Sequence, residues 1–160
     1  MREIGTVILV LTSFFAGILV SRHLAFKRIV SGSNTISKYM CLFKFSNKWI
    51  SLKQKETDIV AYFKDRGYYS IAIYGMGDLG ERLVDEVENT DVNIAYAIDR
   101  SRKGQYANIQ IKSLEEILPQ VDAVIVTPIY DFWRIKPIIM DRIDCPIVSL
   151  EDVIYKYEEE

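Results

Sequence analysis

The segment from Tyr69 to Glu88 constrains this chain more than any other. Tyr69-Ser-Ile-Ala-Ile-Tyr74 is an apolar run of strand length, and it leads straight into Gly75-Met-Gly77-Asp-Leu-Gly80. Beyond the turn, Asp78 to Glu88 sets Leu79, Leu83 and Val87 at i, i+4 and i+8 on one helical face. The order is strand, glycine turn, helix. In such a unit Gly75 permits the tight turn, Gly77 lets a pyrophosphate approach the backbone, and Gly80 lets the helix sit close to the sheet. The first amides and the positive dipole end of the helix then offer a phosphate site.

The surrounding pattern extends this unit. A helix is expected from Thr57 or Asp58, with Ile59, Val60, Tyr62 and Phe63 as its apolar face and Gly67 as its stop. After the turn signal Asn89-Thr90-Asp91, Val92 to Ile98 reads as a second strand ending in Asp99. Ile109 to Ile111 forms a short third strand, and Ser113 caps an expected helix from Leu114 to Leu118. Val121 to Val126 is the continuous apolar strand that parallel sheets bury on both faces. A helix from Asp131, with a break expected at Pro137, a strand Pro146 to Val148 and a terminal helix from Leu150 complete the body. The expected fold class is α/β, a single open parallel sheet of about five strands in the order 3-2-1-4-5, preceded by one transmembrane helix.

Several residues near the turn admit two roles. Asp78 either caps the helix or turns away and leaves backbone donors for a phosphate. Asp99 lies 19 positions after Gly80, where a dinucleotide fold places the acid that accepts from a ribose, or else it is a solvated strand-end acid. Arg100, Arg102 and Lys103 suit a 2′-phosphate or form an ordinary charged loop, so NAD and NADP are not separated. Thr127 and Pro128 leave the fourth strand where open sheets collect ligands, as cleft lining or as a turn. Tyr130, Phe132 and Trp133 are packing or interface aromatics, with base stacking open to one of them.

Residue counts exclude much chemistry. Cys41 and Cys145 lie 104 positions apart without a CxxC pair, which suits a reducing compartment and offers no zinc knuckle; no metal site is expected. His23 is the only histidine, beside an apolar segment, which argues against a Ser/His/Asp triad, an HExxH site and a His-based hydride-transfer acid. No GxxxxGK[ST] occurs, and Tyr96 and Tyr130 are followed four positions on by Arg100 and Arg134, so no YxxxK pair exists either. Catalysis by this chain alone is not expected.

Charge divides the chain into a neutral head, a basic neck and an acidic body. Ile4 to Val20 is 17 residues without a charge, roughly 25 Å of helix at 1.5 Å per residue. Arg22 and His23 can snorkel to headgroups and close the shortfall. A cleaved signal peptide is the rival, but the MRE start and the lack of an A-x-A-like site count against it. Residues 21–55 hold eight basic side chains and no acid, against one Arg before the run, which places the body in the cytoplasm on a single-pass inner-membrane anchor. Basic residues also hold the neck on an anionic leaflet. A net charge of −2 and pI of 5.5 leave no global case for nucleic acid. Within the neck, Ile36, Tyr39, Met40, Phe43 and Ile50 recur near helical spacing, with Trp49 nearby and Ser46 and Asn47 interrupting. They form a short in-plane helix or pack on the body. The expected divisions are 1–21 anchor, 22–55 basic linker and 56–160 nucleotide-binding domain.

IYGMGDLG, a strand ending in Ile-Asp, SLEEIL and DAVIVTP together resemble the Rossmann-type nucleotide-binding module of bacterial surface-polysaccharide (capsule) proteins. Those relatives include membrane-bound sugar-nucleotide dehydratases, polyprenyl-phosphate sugar transferases and sugar-nucleotide acyltransferases. The likeness covers about Tyr69 to Leu150. It implies a cytoplasmic body near a membrane and a ligand such as NAD(P), a nucleotide sugar or CoA. The relatives' chemistry lies in a further domain.

The expected ligand contacts are thus Gly75, Met76, Gly77, Asp78, Leu79, Gly80, Asp99, Arg100, Thr127 and Pro128. The favoured reading is a membrane-anchored nucleotide-binding sensor or accessory subunit in polysaccharide synthesis. The alternatives are an NAD(P)-dependent or sugar-nucleotide enzyme completed by a homo-oligomer or partner chain, with Tyr74, Tyr130 and Asp131 near the cleft, and a ligand-free interaction domain.

Overall fold

The computed structural model describes Ser21 and residues 35–101 and 104–156. These fall into two compact units that divide between Phe43 and Lys44. In the first, residues 35–43 are helical. The apolar run at 4–20, Arg22, His23, Arg102 and Lys103 lie outside the described residues. Among the described residues no helix is long and apolar enough to cross a membrane.

The second unit opens with helical residues 44–54 (α1) and continues through α2 (Ala61–Lys64), β1 (Ser70–Tyr74), α3 (Asp78–Val87) and β2 (Asn93–Ile98). A hairpin of β3 (Gly104–Tyr106) and β4 (Ile109–Lys112) follows, then β5 (Ala123–Val126), α4 (Phe132–Met140), β6 (Ile147–Ser149) and α5 (Leu150–Tyr155). The sheet has six strands in the order β3-β4-β2-β1-β5-β6. Without β3, the other five run in the expected 3-2-1-4-5 order and pair in parallel.

The expected all-parallel, five-stranded sheet is corrected by β3, which pairs antiparallel to β4 through Gly104↔Ile111 and Tyr106↔Ile109. The two-residue connection Ala107-Asn108 lacks the Asn-Gly or Gly-x signature of tight hairpins, and Ala107 carries the positive φ of 49°. The expected helix from Leu114 to Leu118 is absent. Ser113 does begin a capping box: its N–H donates to Glu116 Oε1 at 2.7 Å and its hydroxyl accepts from Glu115 N. Pro119 biases residue 118 away from helical angles, and five residues are too few to offset nucleation. The break expected at Pro137 does not occur, because Phe132, Ile135 and Ile139 are buried along α4 and Pro137 itself is exposed. The helix expected from Thr57 or Asp58 shrinks to α2: the Asp58 carboxylate accepts from Val60 N at 2.9 Å and holds a turn ahead of it.

Doubly covered strands explain the apolar runs. Ala72, Tyr74, Ile98, Val124 and Val126 pack with Phe132, Ile135 and Ile139 of α4, while their neighbours Ile71, Ile73, Ala97, Ala123 and Ile125 are fully buried as well. α1 joins this unit through Phe45, Trp49 and Leu52, spaced i, i+4 and i+7 and all buried. Trp49 Nε1 donates to Glu86 Oε1 at 3.2 Å and Lys53 Nζ lies 2.9 Å from Glu86 Oε2, fastening α1 to α3. Helix runs on through Ser46 and Asn47, whose modest propensity penalty is small beside the burial of three large side chains. Asp122 ties the strand starts together: its Oδ2 accepts from Tyr69 N and Ser70 N at 2.9 and 2.7 Å.

Tyr96 lies in the α4 face of the core, and its hydroxyl donates to Pro119 O at 2.9 Å. Burial pushes this phenol up to about 12, with neighbouring Cys145 adding to the rise. An unfolded tyrosine ionises near pH ~10. Between that pH and about 12 the unfolded chain has lost a proton that the fold retains, so stability falls as pH rises. Thermal melts at stepped alkaline pH should show Tyr96→Phe losing about 1 kcal/mol at neutral pH, from the missing hydrogen bond, yet declining less steeply than wild type above pH ~10.

Candidate functional site

The three glycines of the turn do different work. Gly75 has φ +98°, and a Cβ there would lie 2.7 Å from Pro128 Cδ and 2.8 Å from Thr127 Oγ1. Both its backbone angle and its surroundings demand glycine. Gly80 sits in the first turn of α3, and a Cβ would meet the Gly75 carbonyl oxygen at 2.2 Å. Gly77 differs from both. Its φ of −83° suits any residue, and a Cβ would meet nothing within 4 Å. No backbone or packing requirement explains it.

Gly77 is also the N-cap of α3, so the cap brings no side-chain acceptor to the first-turn amides. Its carbonyl accepts from Glu81 N at 3.0 Å. Asp78 is exposed beside it, and with Glu81 it places two acids in the first turn.

Around the turn, the strand ends act as clamps. Thr127 is buried; its hydroxyl donates to Gly75 O at 2.6 Å and its N–H to Tyr74 O at 3.0 Å. Gly75 N donates to Ile98 O at 2.8 Å. Asp99 Oδ2 accepts from Met76 N at 2.7 Å, and Oδ1 accepts from Ser101 N and Oγ at 2.8 and 2.9 Å. The acid expected to meet a ribose therefore holds the loop and its own strand end. The Met76 side chain is fully buried, so neither its amide nor its thioether faces outward.

Between these clamps lies a crevice of about 210 Å³ at the ends of the parallel strands β1 and β5, where the strand order turns from one side of β1 to the other. Tyr74, Gly75, Asp99, Arg100 and Pro128 come from the strand ends, and Asp131, Arg134, Ile135 and Ile138 from α4 and the residue before it. A neighbouring cavity of about 540 Å³ shares Asp99, Arg100 and Ile138 with it and adds Ser113, Leu114, Glu115, Asp141 and Arg142. Arg134 pairs with Asp131 at 3.2 Å, with its side chain largely exposed.

Among the expected contacts, Gly75, Asp99, Arg100 and Pro128 line the crevice, as do Tyr74 and Asp131. Gly80 and Thr127 shape the turn from behind. Leu79 belongs elsewhere, in a groove of about 640 Å³ formed with Trp49, Ile50, Lys53, Arg82 and Glu86. Arg134, Ile135, Ile138 and Arg142 were not anticipated. Their spacing after Asp131 puts the first three on one helical face, a signal legible once that helix is set at the sheet's carboxyl edge.

Arg100 and Arg134 line the crevice together with Asp99 and Asp131, and its lining has no cysteine or histidine. Cys145 is half-buried, and burial pushes its thiol up, away from reactivity. Among the described residues no three His, Cys, Asp or Glu side chains converge as a metal site. No known protein family, curated protein or solved structure matches the chain.

Two substitutions test this division of roles. Gly80→Ala improves helix propensity by about 1 kcal/mol but drives a methyl into a carbonyl, so a net loss of about 1–3 kcal/mol is expected in chemical denaturation. Thr127→Val, which leaves the Gly75 carbonyl buried without its donor, should cost about 1–3 kcal/mol in the same assay.

Proposed function

We propose that the second unit binds a nucleoside diphosphate at the turn, and that the chain is a membrane-anchored sensor or accessory subunit rather than a self-sufficient enzyme. The observation that carries this reading is Gly77: it is free to be any residue by backbone angle and by space, yet it stands at an uncapped helix start. A phosphate lying against it would use the first-turn amides and the helix dipole. Arg100 and Arg134 supply cations at the crevice, and the neighbouring cavity beside Ser113 and Leu114 offers room for the rest of the ligand. The first cavity alone is smaller than a usual ligand pocket, while the second falls within that range.

NAD(P), a nucleotide sugar and CoA all carry the diphosphate this reading requires. The anchor at residues 4–20 and the cytoplasmic placement of the body are part of the proposal, supported by the uncharged run and the basic residues after it. A role in surface-polysaccharide synthesis rests on the resemblance of the IYGMGDLG and DAVIVTP segments.

Native mass spectrometry of the freshly purified full chain should reveal a co-purified nucleotide. In thermal-shift assays, a true ligand at 100 times its Kd should add about 2.7 kcal/mol, several degrees for a domain of this size. Gly77→Asp is the diagnostic variant. Aspartate is a good N-cap, so the unliganded melting point should hold or rise, while its charge and bulk should abolish the ligand-induced shift. A shift retained in Gly77→Asp would place the ligand elsewhere; no shift with any of the three ligand classes would remove the reading.

A further inference from the structure

We propose that the helical face of residues 35–43 rests on an anionic phospholipid surface. Ile36, Tyr39, Met40 and Phe43 are 66%, 68%, 51% and 62% exposed. Their spacing of i, i+3, i+4 and i+7 puts all four on one side of the helix, a concentration of large apolar side chains in water that calls for a partner. Lys38 lies on the opposite side by the same spacing.

Charge and chain length select the occupant. Residues 21–55 carry eight basic side chains and no acid, which suits a negatively charged surface. The uncharged run ends at Val20, 15 positions before Thr35. Fully extended, that interval reaches at most about 50 Å, so a span in the bilayer keeps this helix within reach of the headgroups. An interfacial helix sets an apolar face against a polar one carrying basic residues, and here the four apolar side chains stand opposite Lys38 in a stretch of chain without an acid. A coiled coil with a second copy would need apolar positions sustained over three or four heptads, whereas Ser46 and Asn47 end the pattern after one. The inference rests on the proposed anchorage and not on nucleotide binding.

The test is a spin-label scan of the full chain in vesicles of phosphatidylcholine and phosphatidylglycerol. Nitroxides are placed by Ile36→Cys, Lys38→Cys, Met40→Cys and Phe43→Cys in a Cys41→Ser, Cys145→Ser background. Labels at 36, 40 and 43 should be accessible to oxygen and shielded from a water-soluble nickel chelate, with the reverse at 38, and the contrast should shrink in phosphatidylcholine alone. Uniform access to the nickel chelate overturns the proposal. So do dipolar broadening at 36, 40 and 43, which would mean a second copy on this face, and a contrast unchanged without anionic lipid. A carbonate wash of the same vesicles reads anchorage separately: release together with the expected contrast removes the anchor and leaves the interfacial helix, while retention with a flat scan removes the helix alone.

Discussion

Gly80 stands so close to Gly75 that a methyl group would lie 2.2 Å from the Gly75 oxygen. This contact between two backbones sets the height of α3 over the sheet and fixes the turn between them. Thr127 holds the same carbonyl from the other side at 2.6 Å, and Asp99 holds the next amide at 2.7 Å. Three strand ends, β1, β2 and β5, are thereby bound to one loop of three residues, Gly75 to Gly77. The crevice meets this turn at Gly75, while Gly77 faces open space.

Legibility in the sequence followed the size of the energy involved. The strands buried on both faces, such as AVIV at Ala123–Val126, appear as continuous apolar runs because every position loses water. Their order follows from handed crossovers and was readable too. The edge hairpin was not. β3 is three residues long and largely exposed, and its turn uses Ala107 and Asn108, so neither periodicity nor turn chemistry marked it. The Leu114 to Leu118 segment misled in the opposite sense: its capping box forms, but a cap contributes about 1 kcal/mol and cannot sustain a helix that Pro119 cuts short.

At the site, residue type was legible and role was not. The glycine pattern located the turn, but nothing in the pattern says which glycine answers to packing and which to open space. The same holds for Asp99, whose place after the second strand agreed with a ribose acceptor while its oxygens are engaged by Met76 and Ser101. Spacing specifies where a side chain leaves the backbone. Competing donors within the fold decide what it binds, and those come from segments far apart in sequence. Arg134 shows the complementary gap: it belongs to the crevice only because α4 follows β5 and packs back across the sheet.

The electrostatics of the turn limit how any anion would be held. Asp78 and Glu81 already occupy the favourable end of the α3 dipole, each gaining about 0.3–1 kcal/mol there and opposing a phosphate by a similar amount. The amides alone therefore start from near balance. Further attraction would have to come from Arg100 and Arg134, both exposed and the latter already paired with Asp131, where a charge pair 4 Å apart is worth only about 1–4 kcal/mol and is screened by salt. On that footing, any anion held at this turn would bind weakly and exchange readily.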